Sequence, residues 1–494
     1  METAQKRFMK PIGFDTEKYL HLQKETILER AKMFNNKLYI EFGGKLLNDS
    51  HAVRVLPGYQ YNVKVEVLKQ IKDNCEVIMC INASDIGSKR RHDVQLFYEE
   101  ELFLEIDELQ AQGLSVVGVV ITQYIEAKSV LQFIRRCKNS NIKTYIHHII
   151  EGYPTDFPRV VSEEGFGKND FVITTKPVIV VTAPGPNSGK MATCLSQLYH
   201  ELKKNNIQAG YAKFESFPVW NLPLKHPVNV AYEAATADLR DMNMIDHYYL
   251  ETTGKVAVSY NRDMETYALL KVLLELIYHK TVYNSPTEMG VNRIGFAILN
   301  DDLVQQAAKN EIVRRYMLAV LDEKMGLSKK EEVLRLNSIM KDMNMNEESR
   351  IVVVEARKEA ERIKRTVACV VLHDGSVIIG REGNLMTASS AVVMNALKYV
   401  AEIPENIKLL SPTVIDSILG LNTKFEKRTN TKIRMSIHET LIALGVGSAS
   451  NPTAGVALDM TDYLDGCEFH VTHRLAVDET NTLVKMGLLV TSDY

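Results

Sequence analysis

The sequence predicts a multidomain α/β protein: two mostly parallel α/β lobes, a helical segment and a C-terminal α/β domain. Three observations carry this. Short β-rich apolar runs alternate with charged stretches of helical periodicity from about Lys37 to Asp302. Strands separated by helices join through right-handed crossovers and form parallel sheets. At 494 residues the chain is too long for one hydrophobic core and must divide.

The elements follow in order. KLYIEF, CEVIMCINA, LSVVGVVITQY and KTYIHHII are strand-like, while Asp93–Gln112 and Ile125–Asn139 are patterned as helices, giving a lobe over 1–150. Glu151–Lys176, with YPTDFP and GFGKND, is rich in turn formers and joins this lobe to a second unit over 177–302. That unit is expected to end on the strand-like NRIGFAILNDD. Residues 303–366, including EIVRRYMLAVLDEKMG and VVVEARKEAERIKR, read as a helical segment. Residues 367–494 return to α/β patterning.

The stretch VIVVTAPGPNSGKMATCLSQL, Val178–Leu198, reads as strand, glycine-rich turn and helix. Unpaired amides and the positive end of a helix dipole cradle phosphate at such a turn. Gly185, Asn187, Ser188, Gly189, Lys190 and Thr193 are the candidate phosphate or nucleotide ligands. The strict phosphate-loop template is Gly, four residues, Gly-Lys-Ser/Thr. Here Pro184 holds the first position and Met191 replaces the metal-binding hydroxyl. A tight turn without ligand is the alternative.

Residues after the loop supply chemistry. The second strand, AGYAKFE, ends in Lys213 and Glu215, and the proline-rich loop after it holds Trp220, Lys225 and His226. Long structured loops in compact domains are commonly functional. Lys213, Glu215, His226 and Arg262 are the candidate catalytic residues, with His226 favoured for proton transfer. Asp301 and Asp302 are candidate Mg²⁺ ligands at a strand end; capping the next helix is the alternative. In the first lobe, strand ends carry Glu41, Lys45 and Asp85, and GSKRRHD contributes Arg90. These four are expected to face the loop across a cleft between lobes; a solvated loop is the other reading of GSKRRHD.

Composition excludes other classes. A formal charge of −3 gives no electrostatic reason to bind nucleic acid or an anionic membrane. The six cysteines are scattered, so reduced thiols packed as small apolar groups are expected, with neither disulfides nor zinc. No apolar run approaches a membrane span and METAQKRFMKPIGF lacks a signal core, so a cytoplasmic protein is expected. The expected partner is a phosphorylated small molecule, with ATP and Mg²⁺ the candidate cofactors, and a homo-oligomer is expected.

Three resemblances add to this. Strand, loop, helix, then GYAK resembles the dethiobiotin synthetase-like branch of phosphate-loop proteins, which implies that Lys213 points at the nucleotide. The tail VACVVLHDGSVIIGREGNLMTASSAVVMNALKYV with SASNPTAGVALDMTDYLDGCEFHVTH is similar to cytidine deaminase-type domains. Thr387-Ala388-Ser389 and Asn451-Pro452-Thr453-Ala454 stand where those enzymes carry zinc ligands and the proton-transfer glutamate. Any shared fold therefore lacks the shared chemistry.

Along its length, with EFGGKL, RVLPG, INASDI, GYPTD, VVTAPGPNSGKMATCLSQLYHE, AGYAKFESFPVWNLPLKHPVN, YEAATADL, SYNRD and SPTEMGVN, the chain resembles the bacterial domain of unknown function 1846 family. Some members carry an ATP-dependent peptidase label, but no His-Glu-x-x-His occurs here. That family supplies no established activity. An enzyme using a phosphate-bearing ligand, by ATP-dependent ligation or phosphoryl transfer, and a non-catalytic phosphometabolite sensor are the two readings the residues leave.

Overall fold

Six of the apolar runs pair in one sheet. The computed structural model describes residues 6–44, 46–47, 49–90, 96–426 and 433–494. The strands are β1 (Leu38–Phe42), β2 (Cys75–Asn82), β3 (Ser115–Thr122), β4 (Thr144–Ile146), β5 (Val178–Thr182) and β6 (Gly210–Phe214). Their order is β4-β3-β2-β5-β1-β6, and every pairing is parallel. Helices cover parallel sheets on both faces, so such strands are apolar nearly throughout. Every residue of β2 and of β5 is buried.

Three helices place the functional edge. α1 (Thr16–Met33) packs against β5 and β6, and α2 (Tyr98–Ala111) against β2 and β3. The helix after the glycine turn is α3 (Lys190–Asn205), which lies against β1, β5 and β6. Its Cys194, Leu195 and Leu198 share a core with Tyr39, Ile78, Val120 and Ile179 from four strands.

Two differences from the sequence reading bear on function. β5, expected to open a second lobe, is inserted between β2 and β1, so one sheet unites strands from 1–150 and 177–302. Pairing partners far apart in sequence leave no local signature, which is why the turn-rich joint at 151–176 reads as a boundary. The run IGFAIL, expected to be a strand, is instead a 3₁₀ turn at Ile294–Phe296 and irregular backbone. Asn292 Oδ1 accepts the Ile294 amide at 2.8 Å and holds this turn. Apolar composition signals burial here, not a sheet position. Asp301 and Asp302 consequently open a helix, α4 (Asp301–Lys324), and do not close a strand.

The chain forms two compact units, one comprising Gly13–Glu233 and Arg240–Gln305 and the other built mainly from Gln306–Tyr494. The second unit has a mixed sheet of β9 (Val367–Val371), β10 (Val377–Arg381), β11 (Glu468–Val471) and β12 (Leu489–Ser492), in the order β10-β9-β11-β12. β9 runs antiparallel to both neighbours, and β11 pairs parallel with β12. The intervening numbers, β7 (Asn243–Ile245) and β8 (Val258–Tyr260), form a short antiparallel pair in the first unit. Helices from 303–366 share a core with this sheet: Val313, Val352 and Ala356 pack with Cys369 of β9. Among the described residues no helix is long and apolar enough to cross a membrane.

Candidate functional site

Parallel strands end on one edge, and ligands collect beyond it. The glycine turn stands there, between β5 and α3. Asn187 and Gly189 adopt left-handed backbone, with φ of 56° and 81°, on either side of Ser188. Alternating handedness aims successive amides at one point, an arrangement that binds anions. Neighbouring strand ends hold the carbonyls back. Thr122 Oγ1 donates to the Ser188 carbonyl at 2.8 Å, and Asn82 Nδ2 to that of Asn187 at 3.4 Å. No described residue accepts the amide protons of Asn187, Ser188 or Gly189.

Lys190 is half-buried, with its ammonium 3.5 Å from Ser188 Oγ and no carboxylate partner among the described residues. Only glycine fits at 189, because a Cβ there would lie 2.8 Å from Thr122 Cγ2 as well as requiring positive φ. Gly189→Ala is therefore expected to cost roughly 2–4 kcal/mol. A lowered urea midpoint with loss of anion binding checks this. Thr193 does not join the cradle: it is fully buried, and Cys80 Sγ donates to its hydroxyl at 3.5 Å.

A second group lies at the ends of β1 and β6, where Glu41 stands opposite Lys213 in register. The Lys213 ammonium lies 2.5 Å from Asp263 Oδ1 and 3.7 Å from Glu215 Oε1. Asp263 comes from the first turn of the helix Asn261–Tyr278, which follows β8. Glu41 Oε2 accepts the Tyr211 hydroxyl at 2.6 Å. Side chains of Lys213, Glu215 and Asp263 keep 18%, 31% and 21% of their surface accessible, so the group is recessed yet open to solvent.

Electrostatics distinguishes these groups. Burial works to lower the Lys213 pKa, but Asp263, Glu215 and Glu41 outweigh it and raise it well above the usual lysine value. Lys213 is thus a fixed cation, unsuited to attack as a neutral amine. Burial raises the Glu215 carboxyl; Lys213 opposes, Asp263 and Glu41 reinforce, and the outcome is about 7. Glu215 accepts no hydrogen bond among the described residues, its one partner being the Lys213 ammonium. The loop and this group share one neighbourhood, because Lys190 and Glu41 both act on the buried thiols of Cys80 and Cys194.

Other candidates lie elsewhere or serve the framework. Arg262 is half-exposed and grips Asp241 through Nε–Oδ1 at 2.7 Å and Nη2–Oδ2 at 2.8 Å; it also acts on Glu215. His226, favoured for proton transfer, is buried with both ring nitrogens engaged. Nε2 meets Asp301 Oδ1 at 3.0 Å, and Nδ1 accepts the Val228 amide at 3.3 Å. Asp301 also accepts from Gln305 at 2.6 Å, so it ties the start of its helix to His226. Asp302 is exposed in the same turn. Among the described residues no group of three or more His, Cys, Asp or Glu is placed to hold a metal ion.

Asp85 is buried beneath a 2.8 Å ion pair to Lys89, and the Arg90 guanidinium stacks 4.2 Å from the Phe97 ring. Lys45 lies outside the described residues. In the tail, Thr387 and Asn451 act as helix caps, accepting the amides of Ser390 and Thr453. Asp241 and Asp263 stand out in sequence as acids near the loop without an assigned role, and Tyr211 and Tyr98, which also line this edge, carry no sequence signal. Asp263 follows Arg262 directly, yet nothing local signals that it meets a lysine 50 residues earlier.

Two family models match the chain in succession: Domain of unknown function DUF1846, N-terminal, over residues 12–344, and Domain of unknown function DUF1846, C-terminal, over residues 348–494. The chain belongs to the DUF1846 family. The sheet edge built above falls within the match to the N-terminal DUF1846 model, and the mixed sheet within the C-terminal one. Relatives carry the name UPF0371 protein. One from Clostridium botulinum (strain ATCC 19397 / Type A) is 47% identical over 494 residues, covering 98% of this chain and 97% of the relative. Another, from Clostridium botulinum (strain Alaska E43 / Type E3), is 46% identical over 492 residues, with the same coverage of each.

Proposed function

We propose that this DUF1846 member is an enzyme acting on a phosphate-bearing small molecule at the carboxyl edge of the parallel sheet. The phosphate rests on the amides of residues 187–190 and the Lys190 ammonium. The reacting part of the substrate meets Glu215 and Lys213. The observation that carries this reading is the pairing, on one edge, of an amide cradle without acceptors and a recessed carboxylate without a hydrogen-bond donor among the described residues.

The chemistry follows from the two charges. Glu215 titrates near neutrality, where one group can take a proton from substrate and return it. Lys213, held protonated by Asp263, stabilises negative charge as it develops. Proton transfer on the body of the substrate, or transfer of its phosphoryl group to a second substrate, is chemistry these groups serve.

The test is a turnover screen against phosphorylated metabolites, followed by mass spectrometry. Wild-type protein is expected to consume one substrate, with Glu215→Gln at least a hundredfold slower while still binding it. Retained turnover in Glu215→Gln, or binding without turnover in the wild type, contradicts the assignment; the second outcome favours a phosphometabolite sensor.

A further inference from the structure

Resting on that reading, the geometry points to a narrower ligand class: we infer that the loop holds a single phosphoryl group, so that the substrate is a phosphomonoester with a neutral or cationic body and not a magnesium-bound nucleoside di- or triphosphate. A phosphate-loop nucleotide site wraps a chain of phosphates in consecutive amides and supplies a hydroxyl for Mg²⁺. This loop does neither.

Its upstream half is poor in donors. Pro184 and Pro186 have no N–H, which leaves Gly185 as the single amide there. The Tyr98 ring stands against that glycine, so close that a Cβ on Gly185 would lie 2.4 Å from Tyr98 Cε2. The downstream half is different. The amides of Asn187, Ser188 and Gly189 run, without acceptors among the described residues, into Lys190, enough donors for the oxygens of one phosphoryl group.

The hydroxyl that the loop would offer Mg²⁺ is missing, and the nearest substitutes, Thr193 and Asp301, are committed. Met191 stands at the hydroxyl position, the Thr193 hydroxyl is buried against Cys80, and Asp301 is bonded to His226 and Gln305. The remaining wall repels further phosphates. Glu41, Glu215 and Asp263 all act on the Lys213 ammonium, and Arg262 is already neutralised by Asp241. A second phosphate reaching toward this group meets excess negative charge. Hydroxyls or a basic nitrogen find acceptors there, Glu215 above all.

Isothermal titration calorimetry separates the cases. The probes are ribose 5-phosphate, glycerol 3-phosphate and inorganic phosphate on one side, with pyrophosphate, ADP and ATP, each with and without Mg²⁺, on the other. At least one monoester is expected to bind tenfold or more tightly than every di- or triphosphate, Mg²⁺ making no difference, and Lys190→Ala is expected to abolish it. Tyr98→Ala, checked for native circular dichroism, is expected to narrow the gap to pyrophosphate. Nucleotides binding as tightly as monoesters, with affinity lost in Lys190→Ala, overturn this inference and leave the loop as a phosphate site. Binding unaffected by Lys190→Ala, or no binding by any probe, overturns the underlying reading as well.

Discussion

Lys213→Met is expected to be the most damaging single substitution in the first unit. The change keeps the apolar stem and removes the ammonium on which Asp263, Glu215 and Glu41 all act. Breaking a recessed ion pair from one side leaves uncompensated charge, at a cost of roughly 3–5 kcal/mol. Part of that loss should return at acidic pH, because the orphaned carboxylates escape repulsion by taking up protons. Glu215→Gln should be far milder, since this carboxyl already titrates near neutrality in the native protein. Urea unfolding of the three proteins at pH 7.5 and 5.5 checks the ranking. Equal stability of Lys213→Met and wild type at pH 7.5 would mean that the lysine is not the electrostatic centre of this group.

Acidification is expected to withdraw the stability tied to a neutral His147 well before ordinary carboxylates titrate. His147, at the end of β4, is buried, and burial drives its pKa from 6.5 to about 4 against the hydrogen bond to the Asp170 carbonyl. In the unfolded chain this ring takes a proton below its ordinary value, whereas in the folded chain it resists until about 4. The unfolded state therefore binds more protons across that window, and stability falls as pH drops from 6.5 toward 4. At about 1.4 kcal/mol per pH unit, His147 alone removes ~3 kcal/mol over the window. His200 is lowered in the same direction, by burial first, with the Asn169 carbonyl opposing. Glu215, raised to about 7, contributes in the opposite sense, so the test is a difference: melting temperature should fall more, or rise less, from pH 6.5 to 4 in wild type than in His147→Gln. An unchanged slope in His147→Gln would contradict the assignment.

What the sequence discloses depends on how local the cause is. β2 and β3 stand within two residues of the apolar runs that suggest them, because eight consecutive buried positions in β2 and five in β3 leave an unmistakable composition. The glycine turn is equally legible: the left-handed position of Gly189 and the helix beginning at Lys190 are properties of adjacent residues. Contacts across the sheet are not. The insertion of β5 beside β1 turns an expected cleft between lobes into the edge of one sheet, and the pairing of β6 with β1 brings Glu41 opposite Lys213.

His226 shows the reverse error. Its type and setting suit proton transfer, yet both nitrogens serve local packing, with Asp301 and the Val228 amide as partners. Glu215, selected with it on the same grounds, is the one left without a hydrogen-bond donor. Residue type proposes chemistry; the partners each side chain has already engaged decide it.

The central claim is that residues 187–190 form a phosphate site, and phosphorus-31 NMR of inorganic phosphate titrated with the protein tests it most directly. Saturable broadening or shift of the phosphate resonance is expected with wild type and lost with Lys190→Ala, while Lys225→Ala, a lysine on the proline-rich loop, behaves as wild type. An unperturbed resonance with wild type, or equal broadening by wild type and Lys190→Ala, would contradict the account.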